Sequence, residues 1–173
     1  MTPAKRILMA IALALSLSPI TASAAQGGPF GLGIILGEPT GITGRYNMNR
    51  TNSVQGGISF NFDQWFLLYG DYLYNWPGVF GGQNQFVANL TPYVGVGGLI
   101  VLSNRNEVET RKYRYYTTTS SSKTAVGFRI PLGLEWRAPS FPLGVFLELV
   151  PGMTIVPGTN AFFQGGIGAR FYF

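Results

Sequence analysis

The sequence predicts an all-β protein built as an eight-stranded antiparallel up-and-down barrel. Only 11 % of its 173 residues are charged, against about 25 % in ordinary soluble domains. Glycine occurs 24 times and aromatic residues make up 14 %. Each glycine costs about 1 kcal/mol in a helix interior, and a disordered chain would be charge-rich and poor in aromatics. Composition therefore excludes a helical bundle and a disordered chain. In addition, apolar and polar residues alternate with the period of a β-strand.

The first 25 residues have the pattern of a secretory signal peptide. Lys5 and Arg6 form a basic start, an apolar run follows over 7–17, and residues 22–24 form an A-x-A cleavage motif. The apolar run is too short to span a bilayer as a helix. We therefore predict a cleaved signal peptide over 1–24 and an exported barrel over 25–173.

Period-2 alternation is clearest toward the C-terminus, where 126–137, 143–149 and 163–173 each separate apolar from polar residues. It is weaker in 66–74, where Asp71 shares a face with leucines, and ambiguous in 30–37. Turn residues separate the segments. The predicted strands span 29–37, 42–49, 53–62, 65–75, 86–102, 125–137, 142–155 and 160–173.

The polar face of these strands is predicted to line the barrel interior, with the apolar face toward lipid. That polar face is rich in glycine, and its few positive and negative charges balance. An eight-stranded barrel is just wide enough for side chains, and buried charges need partners. Cross-strand spacing predicts direct contacts among Arg129, Glu148 and Arg170. The predicted ionic network comprises Arg45, Asp71, Arg129, Glu135, Glu148 and Arg170, and the predicted aromatic girdle at the membrane interface comprises Trp65, Trp76 and Trp136.

The signal peptide, the alternating strands, the 31–44 hairpin and the terminal Phe173 resemble the small outer-membrane β-barrels of Gram-negative bacteria, the broad OmpX/OmpA-like superfamily. The resemblance implies an outer-membrane location among lipids and lipopolysaccharide, and a monomeric barrel. It also implies that Phe171 and Phe173 serve as a signal for the barrel-assembly machinery. Both chain termini would lie in the periplasm, and residues 103–124 would form a long extracellular loop.

The sequence contains no histidine and no cysteine, which excludes His- and Cys-dependent catalysis and thiolate metal sites. Enzymes among the barrels that this chain resembles use a catalytic histidine. Glu135 and Glu148 could form a glycosidase pair, but ion pairing inside a narrow barrel is the stronger interpretation. We predict no catalytic residue, no cofactor and no metal site, and no nucleic-acid partner for an exported barrel.

The 103–124 segment carries five basic and two acidic residues, a net charge of +3. A basic, aromatic stretch can bind polyanions such as lipopolysaccharide phosphates, although an ordinary solvated loop has the same composition. The predicted role is therefore structural or surface-interacting and non-enzymatic. A narrow pore for ions or small solutes, and a soluble periplasmic lipocalin-like carrier, remain as alternatives. The predicted binding residues are Arg111, Lys112, Tyr113, Arg114, Tyr115 and Tyr116.

Overall fold

Nine strand segments form a closed antiparallel barrel with eight strand positions. The structure is a computed structural model and describes residues 27–61, 65–81, 84–103 and 124–173. The predicted all-β, eight-stranded barrel is confirmed. The elements are β1 Phe30–Glu38, β2 Gly41–Asn47, β3 Asn52–Asn61, β4 Trp65–Asn75, α1 Gln85–Ala88, β5 Leu90–Ser103, β6 Thr124–Arg129, β7 Leu132–Arg137, β8 Leu143–Val156 and β9 Asn160–Tyr172.

The barrel closes between its first and last strands. Their register runs from Gly31 opposite Tyr172 to Glu38 opposite Gly165, and closure leaves no sheet edge exposed. We call the end that holds both described chain ends the terminal end. The opposite end, where the 103–124 segment joins β5 to β6, is the loop end.

The sixth predicted strand, 125–137, is interrupted in the structure between β6 and β7. The break falls at Ile130 and Pro131, because a prolyl nitrogen has no hydrogen to donate to a sheet. Both pieces pair with β5 on one side and β8 on the other. They therefore occupy a single strand position.

The fifth predicted strand, 86–102, begins later than expected, at Leu90. The side chain of Asn84 accepts a hydrogen bond from the Phe86 N–H at 2.9 Å. The side-chain amide of Asn89 donates to the Gln85 carbonyl at 3.0 Å. These contacts satisfy backbone groups that a strand would have used, so 85–88 forms the helical turn α1. No helix within the described ranges is long and apolar enough to cross a membrane.

Successive side chains point alternately into the barrel and outward: the outward ones are largely apolar, and the inward ones include all the buried charged residues together with some apolar and aromatic ones. In β8, Phe146 and Glu148 are each 1 % exposed, whereas Leu147 and Leu149 are 52 % and 45 % exposed. The first strand, which the sequence left ambiguous, alternates in the same way: Ile35 points inward and is 3 % exposed, whereas Ile34 and Leu36 point outward and are each 55 % exposed. An apolar exterior around a polar interior is typical of a membrane-spanning barrel and is the reverse of a lipocalin-like carrier.

Glycines on the inner face lie opposite aromatic rings on the neighbouring strand. At each of these positions an added Cβ would overlap the ring, so the ring occupies the volume that a side chain would otherwise fill. This arrangement accounts for part of the high glycine content. The pairs are Gly31 with Tyr172, Gly57 with Tyr69, Gly133 with Tyr93, Gly152 with Phe162 and Gly168 with Phe146.

Glycines on the outer face have different surroundings. Gly44, Gly56, Gly70 and Gly98 lie side by side across β2 to β5. A Cβ added at Gly70 would meet no atom within 4 Å. The outer glycines therefore offer a matched control for the inner ones.

We expect Gly133→Ala to destabilise the barrel by about 1–3 kcal/mol, because the new methyl group would displace the buried Tyr93 ring. Gly70→Ala should stay within about 0.5 kcal/mol of the parent. Urea unfolding of both variants in the same detergent measures the difference. Equal stabilities for the two variants would contradict the glycine–ring packing.

Candidate functional site in the barrel interior

All six residues of the predicted ionic network lie inside the barrel, each at most 5 % exposed. They come from six strands and form two clusters around two glutamates. The residues, with their strands, are Arg45 (β2), Asp71 (β4), Arg129 (β6), Glu135 (β7), Glu148 (β8) and Arg170 (β9).

Glu148 is the centre of the first cluster. Its Oε1 lies 2.8 Å from Nη2 of Arg129. Its Oε2 accepts hydrogen bonds from Nε2 of Gln55 at 2.8 Å and from the hydroxyl of Tyr93 at 2.9 Å. Asp71 extends the cluster, with Oδ1 3.1 Å from Nε of Arg129. A carboxylate with three donors is well satisfied in a dry interior.

Glu135 is the centre of the second cluster, closer to the terminal end. It pairs with Nη1 of Arg45 at 2.6 Å and with Nε of Arg137 at 3.2 Å. It also accepts a hydrogen bond from the hydroxyl of Tyr172 at 2.5 Å. Asn75 accepts a further bond from Nη2 of Arg45 at 2.5 Å. The side chain of Arg137 is 38 % exposed, so it caps the cluster toward the terminal end.

Arg170 does not make the direct contact with Glu148 that the sequence predicted. Its Nη2 donates to Oε1 of Gln55 and to Oγ1 of Thr43, each at 3.1 Å, and its Nη1 lies 3.9 Å from Oε2 of Glu135. Register explains the difference: Glu148 lies opposite Gly166 and Arg170 lies opposite Gly144, four residues away along the strand pair. Gln55 therefore bridges Arg170 to Glu148.

Gln55 is the most connected of the network residues that the sequence prediction did not include; the others are Asn75, Tyr93, Arg137 and Tyr172. It bonds to Asp71 as well, at 2.9 Å, so it joins three charged groups. Its place on the polar face of β3 was visible in the alternation. Charge balance alone does not identify a neutral amide as a member of an ionic network.

Each arginine of these clusters also lies over an aromatic ring. Guanidinium groups stack well on such rings when they are removed from water. All four rings are among the five that face inner glycines, so each of the four contacts a glycine and a guanidinium. The distances from the arginine Cζ to the ring centroid are 4.6 Å for Arg45 and Tyr93, 4.1 Å for Arg129 and Tyr69, 4.0 Å for Arg137 and Tyr172, and 3.6 Å for Arg170 and Phe146.

An apolar layer, beside which the polar Ser59, Thr154 and Gln164 are also buried, lies inside the barrel between the ionic clusters and the loop end. Leu67, Tyr69, Leu99 and Phe162 pack together there and are 0–7 % exposed. Val101 packs against them. The interior thus has two layers, an ionic one nearer the terminal end and an apolar one nearer the loop end. Apolar constrictions of this kind resist wetting.

The three predicted girdle tryptophans do not lie at one level. Trp76 and Trp136 are at the terminal end, whereas Trp65 begins β4 at the loop end, and its side chain lies outside the described residues. A strand-end position predicts an interfacial location but does not distinguish the two ends of the barrel. Outward aromatic residues at the terminal end are Phe30, Tyr46, Tyr74, Trp76, Trp136, Phe141, Phe171 and Phe173.

Several predicted features fall on residues that the structure does not describe. These are the signal peptide over 1–24 and the surface-binding residues 111–116. Phe171 and Phe173 are described: both point outward at the terminal end and are 43 % and 41 % exposed. The Phe173 N–H donates to the Phe30 carbonyl at 2.9 Å.

The interior carboxylates are committed to structural contacts. Glu135 and Glu148 are 2 % and 1 % exposed, and each accepts bonds from at least three donors, which disfavours a role as an acid–base pair. Within the described ranges, no group of three or more histidine, cysteine or acidic residues could hold a metal ion.

A closed eight-stranded barrel with an apolar wall and a filled polar interior is the fold of the small outer-membrane β-barrels. The N-terminal β-barrel domain of Pseudomonas aeruginosa OprF is similar, with a TM-score of 0.57 and 17 % identity over 86 % of this chain and 100 % of that domain. Neisserial surface protein A has a TM-score of 0.48 and 12 % identity over 83 % of this chain and 93 % of its own. No protein-family model and no curated protein matches the chain. At these identities the likeness concerns the fold.

Proposed function

We propose that the protein is a non-enzymatic outer-membrane β-barrel with a structural and surface-interacting role. The observation that carries this proposal is the filled interior. Arg129 and Arg170 in the ionic layer, and Leu67 and Leu99 in the apolar layer, are each at most 1 % exposed. Side chains occupy the space that a channel would need.

The filled interior argues against the two other functions considered. A pore would require water to displace both the ion pairs around Glu148 and the apolar layer around Leu99, two barriers in series. A soluble carrier would need an apolar cavity and a polar outer surface, whereas Leu147 and Ile167 on the wall are 52 % and 54 % exposed.

The outer wall of the barrel supports an outer-membrane location, with membrane lipids, lipopolysaccharide and the barrel-assembly machinery as partners. The exposed apolar side chains fit the acyl chains of membrane lipids. Phe171 and Phe173 face outward at the end of β9, where the barrel-assembly machinery could contact them. Closure between β1 and β9 within one chain supports a monomer.

The 103–124 segment is the proposed surface-interacting element. It leaves the barrel at Ser103 and returns at Thr124, both at the loop end. Its basic and aromatic residues over 111–116 suit the phosphate groups of lipopolysaccharide. In the proposed topology this end of the barrel faces outside the cell.

The barrel is expected to give no conductance steps when it is reconstituted into planar bilayers, because both interior layers exclude water. A sixteen-stranded porin in the same bilayers is the positive control. Heat-dependent migration on SDS gels confirms that the reconstituted protein is folded. Reproducible unitary currents from folded protein would replace this proposal with the pore.

Removing residues 106–122 is expected to abolish binding to immobilised lipopolysaccharide while leaving heat-dependent migration intact. A matched variant, with Arg111, Lys112 and Arg114 each replaced by serine, keeps the loop length and should lose most of the binding if charge dominates. Binding that survives both changes would show that the 103–124 segment is not the contact surface.

A further inference from the structure

The connection between β4 and β5, at the terminal end, exposes an apolar surface that takes no part in packing the barrel interior. Val79, Phe80 and Phe86 are 59 %, 43 % and 57 % exposed. No charged residue occurs anywhere in 76–89. A connection surrounded by water would be expected to carry polar side chains at such exposed positions.

The helical turn α1 folds against the outer side of the barrel wall. The ring of Phe86 stacks on that of Trp136, with the centroids 5.5 Å apart and an interplanar angle of 28°. Trp136 lies on the outward face of β7, near the end of that strand. The stacking therefore directs α1 toward the lipid-facing side and away from the lumen.

The start of the connection is also held at the outer wall. Trp76 packs edge-on against Tyr74 at 5.2 Å, and Tyr74 is an outward residue that is 45 % exposed. The Trp76 N–H donates to the Pro92 carbonyl at 3.0 Å. Both ends of the connection are thus continuous with the aromatic residues of the wall.

We propose that the described apolar residues of this connection form a membrane-interface anchor, in which Val79, Phe80 and Phe86 insert between the lipid head groups and acyl chains of the leaflet at the terminal end. Aromatic and apolar side chains favour that boundary, and the lack of charge keeps the cost of insertion low. Because this apolar surface is continuous with the lipid-facing wall, membrane lipid is the partner that would cover it. The anchor rests on the membrane location proposed above.

Introduced single cysteines can report the position of this connection, because the sequence has no native cysteine. Val79→Cys and Phe80→Cys are each labelled with bimane and folded into phosphatidylcholine vesicles. Quenching by lipids spin-labelled near the head group and, in separate vesicles, deep in the acyl chains is compared with quenching by aqueous iodide. Arg50→Cys, on an exposed turn at the same end, is the aqueous control, and Ile167→Cys, on the outer wall, is the lipid control.

Labels at 79 and 80 are expected to be quenched by the shallow lipid label and protected from iodide, with the opposite result at 50. If they behave like the label at 50 while 167 is quenched by lipid, the connection lies in water and the anchor alone is overturned. Protection from both quenchers would indicate cover by protein and would also overturn it. If 167 itself escapes lipid quenching, the membrane location fails and the anchor fails with it.

Discussion

Replacing Glu148 with alanine is expected to destabilise the folded barrel by roughly 3–5 kcal/mol, the usual cost of breaking a buried ion pair from one side. The change leaves Arg129 with one carboxylate instead of two and removes the acceptor for the Tyr93 hydroxyl. Guanidinium unfolding in detergent micelles, together with the temperature of heat-dependent migration, measures the loss.

Glu148→Gln separates charge from shape in this experiment. The amide keeps an acceptor oxygen for Tyr93 but no longer carries the charge that balances Arg129, so an intermediate loss is expected. A melting temperature unchanged by Glu148→Ala would show that the cluster around Glu148 does not stabilise the barrel.

Leu147→Arg, one residue earlier, is expected to destabilise the inserted barrel by about 2–4 kcal/mol, because it places a charge on the lipid-facing wall near mid-membrane. Leu147 is 52 % exposed and lies between Leu134 and Ile167 on the neighbouring strands. Unfolding from phospholipid vesicles measures the effect.

Met48→Arg provides the matched control, because Met48 is comparably exposed, at 45 %, but lies just beyond the end of β2. A charge near the interface costs about 0–1 kcal/mol. A soluble barrel would tolerate both arginines equally, so equal stabilities would refute the assignment of the outer wall to lipid.

Alternation along single strands was enough to predict the barrel and to separate its two faces, and the glycine content and balanced charges of the polar face predicted that it lines the interior. In β8 and β9 the outward residues include the exposed Leu147 and Ile167, and Glu148 and Arg170 fall on the opposite, buried face, as their positions in the sequence indicate. Alternation works here because the side-chain period of a strand is two, whatever its partner is.

Features that depend on contacts between strands were not predictable in the same way. The predicted contact between Arg170 and Glu148 does not form directly, because the register of a hairpin depends on its turn and on cross-strand packing. The α1 turn was missed because Asn84 and Asn89 act through local side-chain bonds that do not change the hydropathy pattern. The break at Pro131 was visible as a proline, but the apolar–polar alternation continues through it.

The pairing of inner glycines with aromatic rings restricts the register in which neighbouring strands can align. Shifting β4 by two residues along β3 would keep every side chain on its proper face, so lipid would not oppose the shift. It would, however, move Tyr69 from Gly57 to a position opposite Gln55 or Ser59, both of which carry side chains. A two-residue shift of β9 along β8 would likewise bring Phe162 from Gly152 to Val150 or Thr154. The glycine–ring pairs thus disfavour barrels with a shifted strand register, which contact with the bilayer alone would not disfavour.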